Sequence, residues 1–424
     1  MRPPKYLLVI NHIVGNLIQS VEEIRKDDKF SNLEILAITD RPDFASKYSK
    51  YVDASQVIYC NFQDEADIAN RLKPYMDNIV GVICRGDRHI QYLRKIAQFL
   101  PKDCPVASVD ALTRSTNKKL MRESFLEHFP EITPKAVQVK DILPESLDMV
   151  EKTINYPLIV KPANLFSSLL IQICQNRQEL SDALEKVFSQ IQDLYKQRDI
   201  HEQPEVIVEE FMEGDFYSID AYVMDRNSFY FCPPVAYVPA QKIGIDDFFL
   251  YKRFIPTELS NFSVEQANQT VQKALTAVGL SHSAAHVELV LTAEGWKIIE
   301  IGPRLGRFRN MMYGLAYSIN HSLNDVKIHL GIEPDIPTTL IQSCSAYSIY
   351  PTKEGILKEV TGLNELSTYD EIKQLKIYKN AGDECVFAKH GGSAIVEFVV
   401  ASKDLKKFNE VTDFIERKVH PVID

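Results

Sequence analysis

Ser283-Ala-Ala-His-Val-Glu-Leu-Val-Leu-Thr-Ala-Glu-Gly-Trp-Lys-Ile-Ile-Glu-Ile-Gly-Pro-Arg304 is the stretch on which the reading of this chain turns. Apolar and β-branched residues flank Ala293-Glu294-Gly295, which supplies a short turn, so the segment reads as a β-hairpin. With the turn centred on Glu294, Glu288 lies opposite Glu300, Val290 opposite Ile298, and His286 opposite Gly302. Like charges directly opposed across strands are destabilising, so the two glutamates call for a positive partner. Hard cations such as Mg²⁺ are held by one or two carboxylates and completed by substrate phosphates. Arg304 joins them if the strand continues. Two carboxylates, an imidazole and a guanidinium around one spot are the parts of a nucleotide–metal site. Read alone, the same residues also fit an exposed acidic hairpin, and the rest of the chain has to arbitrate.

A length of 424 residues allows roughly three domains at ~100–200 residues each. The 45% hydrophobic and 25% charged content is ordinary for a globular protein. A net charge of −10 argues against nucleic acid as partner, because binding a phosphate backbone needs a basic face. No apolar run approaches the ~20 residues of a membrane span, so no membrane partner is expected. At the N-terminus Arg2 and Lys5 precede only Tyr6-Leu7-Leu8-Val9-Ile10 and then Asn11-His12, which is not a signal-peptide layout. The seven cysteines, Cys60, Cys84, Cys104, Cys174, Cys232, Cys344 and Cys385, are scattered and form no C-x-x-C. That spacing fits reduced thiols in a cytoplasmic protein, with neither disulfides nor a zinc site.

Residues 1–112 alternate strand-like stretches (Tyr6–Ile10, Leu33–Ile38, Gln56–Cys60, Ile79–Cys84) with helical patterns (Asp64–Met76, Arg88–Leu100). Such alternation predicts a doubly wound parallel sheet, with ligands at the carboxyl ends of its strands. The first βα turn, Asn11-His12-Ile13-Val14-Gly15, lacks the glycines of a dinucleotide site. Arg85-Gly86-Asp87-Arg88 follows the fourth strand, as a substrate contact or a solvated loop. Next, Ser115–Arg122 opens a helix, and Tyr156–Ala163 reads as a buried strand delivering Lys161. Beyond them Leu169–Cys174 reads as a strand, and Asn176 with Glu179 as the capped start of a helix whose apolar stripe packs a core. Glu205–Phe211 and Phe216–Met224 read as strands, 228–260 as a long, partly irregular insertion, and Val264–Val278 as a helix. From 335 onward strand-like pieces and a closing helix at Leu405–Lys418 predict a separate small α+β domain.

Four motifs in order give the region 113–334 a resemblance. Asn117-Lys118-x-x-Met121-Arg122, Pro157-Leu-Ile-Val-Lys161-Pro162, Val208-Glu209-Glu210-Phe211-Met212-Glu213-Gly214 and Glu300-x-x-x-Arg304 are similar to successive motifs of the ATP-grasp superfamily. The resemblance implies an ATP-grasp domain at 113–334, with a lid at about 135–205, between an α/β domain at 1–112 and an α+β domain at 335–424. It also implies ATP with Mg²⁺, or Mn²⁺ in its place. Lys118 and Lys161 would neutralise phosphates. Glu209, Glu210, Phe211 and Met212 would present the hinge strand to adenine, with Glu209 offering its carboxylate or carbonyl and with Met212 and Ile299 covering the ring. Glu288 and Glu300 would hold the metal. Arg304 would stabilise an acyl phosphate or the tetrahedral species formed from it.

The chain departs from the family pattern at three places. The lid reads Asn164-Leu165-Phe166-Ser167-Ser168-Leu169-Leu170 without glycine, leaving Ser167 and Ser168 as phosphate donors. The ribose-binding acid falls at Phe216, with Asp215 as a shifted substitute. The family asparagine is Gly302, and His286, opposite it across the hairpin, either fills the vacated volume, contacts the substrate or packs. Ala285-His286-x-Glu288 with Pro303-Arg304-Leu305-Gly306 most resembles carboxylate–amine ligases of the L-amino acid ligase type. Their R-x-G-G is Arg304-Leu305-Gly306-Arg307 here, so Arg307 either binds a substrate carboxylate or is a surface residue. The implied activity joins a small carboxylate to an amino acid-like amine through an acyl phosphate, and family analogy points to a homodimer. A non-catalytic ATP- or metabolite-binding protein is the rival, and a bicarbonate-using enzyme ranks behind both.

Overall fold

The computed structural model describes residues 3–165 and 169–424. Strands β1 (Lys5–Ile10), β2 (Leu33–Thr39), β3 (Val57–Tyr59) and β4 (Ile79–Ile83) form a parallel sheet in the order β3-β2-β1-β4. Leu7, Leu8, Val9 and Ile10 are all buried, as both faces of a doubly wound sheet require. The winding reverses between β1 and β4. The helix Asp87–Ala97 begins just past β4, so its first residue stands at the switch point where such sheets place ligands.

Strands β5 (Ala136–Val139), β6 (Leu158–Pro162), β7 (Gln172–Cys174) and β8 (Val206–Glu210) form a second, antiparallel sheet in the order β5-β8-β6-β7. The helix Arg177–Gln197 covers it. The Asn176 side chain accepts from the Glu179 backbone N–H and starts that helix. Its apolar stripe (Leu180, Leu184, Val187, Ile191) packs on Val160 and Val208, as expected of core. Each such side chain contributes roughly 1.5–3 kcal/mol on burial. β7 starts later than the strand expected from Leu169, because Leu170 has φ +56 and breaks the extended run.

The largest sheet has nine strands. It contains β9 (Asp215–Val223), β10 (Phe229–Phe231), β11 (Val235–Pro239), β12 (Leu250–Ile255), β13 (Ser283–Thr292), β14 (Gly295–Gly302), β15 (Ser343–Ile349), β17 (Ile372–Ile377) and β19 (Val396–Ser402). β16 (Gly355–Val360), β18 (Glu384–Cys385) and β20 (Pro421–Ile423) form a small three-stranded sheet. Two expectations need correction. The stretch 228–260 is not an irregular insertion: β11 and β12 sit mid-sheet between β9 and β15. Its prolines end strands there without preventing them. Nor is the chain after 335 set apart at the level of the sheet. β15 bonds to β12 on one side and β19 on the other, so the sheet runs across the 334/335 boundary. The division into 1–112, 113–334 and 335–424 therefore stands as a proposal about folding units. All seven cysteines are buried and unpaired. Among the described residues no helix is long and apolar enough to cross a membrane.

Candidate active site

The opening hairpin forms, and Glu288 is paired with Glu300 and His286 with Gly302 as expected. The route differs. The turn is the two-residue Ala293-Glu294, with Thr292 opposite Gly295, and Val290 faces Lys297 instead of Ile298. A bulge at Ile299 takes up the extra residue and restores the register before the glutamates. It also turns the Ile299 carbonyl toward Arg122, whose Nη2 donates to it at 2.7 Å.

Asn117 caps the helix Lys118–His128, accepting from the backbone N–H groups of Lys119 and Leu120. This fixes Lys118, whose backbone N–H donates to Ala163 at 2.9 Å and whose Nζ donates to the Leu165 carbonyl at 2.8 Å. Lys118 Nζ stands 3.3 Å from Glu300. Lys161, at the end of β6, pairs with Glu209 at 2.6 Å. Arg122 grips the same carboxylate from the other side with bonds of 2.9 and 3.1 Å. Burial pulls Lys161 down to about 8, against the attraction of Glu209. Burial alone would raise the Glu209 carboxyl, but Arg122 and Lys161 hold it at about 2. The expected approach of the Glu209 carboxylate to adenine is therefore corrected: that group is buried and spent on two cations.

Arg304 is gripped by Asp87 through two bonds of 2.8 Å. Of the readings open for His286, filling the space at Gly302 is not the one seen. A side chain at Gly302 would start 3.2 Å from Arg304 Cζ, so the guanidinium holds that volume. His286 turns instead to Asp220, with Nδ1 2.7 Å from its carboxylate, while Nε2 lies 3.2 Å from the Tyr237 hydroxyl and 3.4 Å from Glu288. Burial would lower the His286 pKa, but Asp220 outweighs it and the net shift is upward. Asp220 is buried on β9, accepts from the Gly306 N–H at 2.8 Å and lies 2.9 Å from His321 Nε2. His321 in turn meets the Tyr222 hydroxyl. Burial would raise the Glu288 carboxyl, but the hydrogen bond and charge of His286 hold it below the ordinary value.

Lys118, Lys161, Glu288, Glu300, Arg304 and Arg307 all line one cavity of about 880 Å³. Phe211, Met212 and Ile299 line it as well, alongside Ile159 and Ile171. Glu210 and Asp215 are not brought in. Glu210 is exposed at the end of β8, and Asp215 is exposed near Lys242 at 3.9 Å. Phe216 lines the cavity in its place. Ser167 and Ser168 lie outside the described residues. Glu288 and Glu300, each about a third exposed at the cavity, have the donor chemistry of a hard-cation site. Among the described residues no group of three or more His, Cys, Asp or Glu side chains is set to hold an ion. A cation there would be completed by phosphate and water oxygens. Sequence reasoning missed the arginine side of Glu209, although Arg122 stands in a quoted motif, and missed Asp87 as the partner of Arg304. It had no signal for Asp220 or His321.

Residues 154–311 match the family model described as an ATP-grasp domain. Over 188 residues the chain is 27% identical to a D-alanine–D-alanine ligase of Listeria welshimeri, covering 42% of this chain and 46% of that one. Over 239 residues it is 23% identical to an uncharacterized protein of Sinorhizobium fredii, covering 56% and 47%. The chain thus spans about half the length of the curated relatives it matches. Among solved structures, an L-amino acid ligase from Bacillus licheniformis superposes with a TM-score of 0.74 at 17% identity, over 100% of both chains. A phosphoribosylglycinamide synthetase from Anaerococcus prevotii does so with a TM-score of 0.65 at 20% identity, also over 100% of both. Likeness at that identity speaks for the fold. Residues 154–311 thus match an ATP-grasp domain, and the fold of the whole chain is similar to that of an L-amino acid ligase.

Proposed function

We propose that the chain is an ATP-dependent carboxylate–amine ligase that forms an amide or peptide bond between small molecules and releases ADP and phosphate. One observation carries the reading: Lys118, Lys161, Glu288, Glu300 and Arg304 converge on a single cavity with an apolar slot beside them. In this reading the slot between Ile159, Ile171, Met212 and Ile299 takes the adenine ring. Lys118 and Lys161 bear on the phosphates as compact ammonium charges. Glu288 and Glu300 would hold Mg²⁺ or Mn²⁺, which supplies neutralisation of phosphate charge when bound. A carboxylate oxygen attacks the γ-phosphorus and the bond to ADP breaks. The amine nitrogen then attacks the acyl carbon, the carbon–oxygen bond to phosphate breaks, and the nitrogen gives up a proton. Arg304 sits where negative charge develops in both steps. The sheet β5–β8 and its helices act as the lid that keeps water from the acyl phosphate.

The relatives named as D-alanine–D-alanine ligase and L-amino acid ligase support amino acid-like substrates. The unpaired, buried thiols support a reducing compartment, hence the cytoplasm. A homodimer is part of the proposal and is read out by sedimentation. The decisive test is ADP release from ATP and Mg²⁺ across pooled amino acids and small carboxylates, with Glu300→Ala as blank. A signal needing two pools and lost in the variant is expected. Nucleotide-induced thermal stabilisation without turnover in any pool would favour the non-catalytic binder.

A further inference from the structure

Where β11, β12 and the segment after β14 border it, the cavity is lined by Tyr237, Leu250, Leu305 and Arg307. We infer that this part of it is an anion-binding subsite, built by Arg307 and Arg253 against the Phe308 ring, that selects a co-substrate carrying a carboxylate there. The word co-substrate rests on the ligase reading; the subsite does not.

Arg307 Nη2 donates to Glu397 at 2.6 Å, yet its side chain is 58% exposed and borders the cavity. Arg253 is buried at 9% exposure behind the same wall, and its Nη1 donates to the Leu250 carbonyl at 3.1 Å and to Ser348 Oγ at 3.2 Å. Among the described residues no carboxylate contacts Arg253. Glu397 reaches it only through Ser348, which donates to Glu397 at 3.1 Å, and Glu397 also accepts from Tyr378 at 2.9 Å. The other charged or titratable groups that act on Arg253 are Tyr237, Tyr350, Arg309 and, across the cavity wall, Glu288, and Asp220 lies 3.6 Å from Arg309. Two guanidiniums thus share one hydrogen-bonded carboxylate, Glu397, Arg307 directly and Arg253 through Ser348, while Glu288 acts on Arg253 only through space and is also tied to His286. A buried charge is stable only when compensated, so the surplus positive charge favours an incoming anion. Burial supports this by pulling Arg253 down to about 10.

Phe308 adds geometry. The two guanidinium carbons lie 5.1 and 5.3 Å from the centre of its ring, a cation–π arrangement that brings both to one aromatic face or edge. Phe308 itself has φ +65, which is strained for an aromatic residue. Strain of this kind persists where surrounding structure over-determines it, commonly at ligand sites. A planar arginine fork suits a carboxylate bound through two oxygens.

The test needs no turnover. Calorimetry on the full chain saturated with ADP compares matched probes: L-glutamate with L-glutamine, L-aspartate with L-asparagine, succinate with succinamate. At least one acid is expected to bind ~10-fold more tightly than its amide. Arg307→Gln should bring that ratio to within about threefold, while Arg307→Lys keeps part of it. An unchanged ADP-induced rise in melting temperature in both variants shows that the fold and the nucleotide end persist. The inference is overturned if no acid binds wild type more tightly than its amide, including no binding at all. It is also overturned if the preference survives Arg307→Gln. Absence of ADP release would count against the ligase reading and leave this result standing.

Discussion

Glu209 is buried, with Arg122 on both its oxygens and Lys161 on one of them, and in the proposed reading this triad sets how phosphate binding responds to pH. Lys161 gives up its proton near pH 8 in the folded chain, against 10.5 for an ordinary lysine. Between those values the unfolded chain holds the extra proton, so stability should rise with pH there. Phosphate affinity should do the opposite. If Lys161 meets the nucleotide as proposed, its ammonium is lost as pH climbs through about 8, and the dissociation constant should grow ~10-fold per unit above it. Calorimetric titration of ADP from pH 7 to 9.5 checks this, and a flat profile would remove Lys161 from the phosphate site. At this scale Lys118, Lys161, Glu288, Glu300 and Arg304 were legible because each sits in a short motif of fixed spacing. Their partners were not. Asp87 and Arg304 are separated by 217 positions, and Asp220 and His321 by 101, so only the folded sheet brings them together.

Among the elements, the helix Lys118–His128 illustrates how a cap can serve binding. Asn117 holds its first turn, and its amide also donates to Glu205 at 2.9 Å. Asn117→Ala should cost about 1 kcal/mol in urea denaturation. Because the same cap sets the height of Lys118 above the cavity, ADP affinity should fall further than that loss alone accounts for. Equal losses in both measurements would make the cap purely structural. The hairpin shows the limit of element-level reading. Its glutamate pairing was read from a turn centred on Glu294 and holds only because the bulge at Ile299 offsets the tighter turn; nothing in Lys297-Ile298-Ile299-Glu300 marks one isoleucine as the extra residue. The insertion 228–260 was misread because prolines and a glycine obscured three short strands whose partners lie on either side in the sheet, one of them about 90 residues further on.

For the molecule as a whole, the continuous nine-stranded sheet makes the stretch after 335, about a fifth of the chain, part of the sheet that carries the cavity. A chain truncated after residue 334 would expose the long edge of β12, and such edges pair with other chains. It is expected to aggregate or lose its cooperative melt; a soluble, ADP-binding truncated protein would show that the sheet divides there after all. The fold class was readable from alternation and motifs, whereas this sharing of strands was not, because pairing across the boundary leaves no local pattern. The same integration gives the Arg304–Asp87 grip a consequence. At rest the arginine already has a resident anion, supplied by the helix after β4. Any incoming carboxylate or phosphate therefore enters as a competitor in an exchange. Its apparent affinity is its intrinsic affinity scaled by the fraction of time Asp87 lets go, which makes the N-terminal sheet a discriminator against weakly charged visitors.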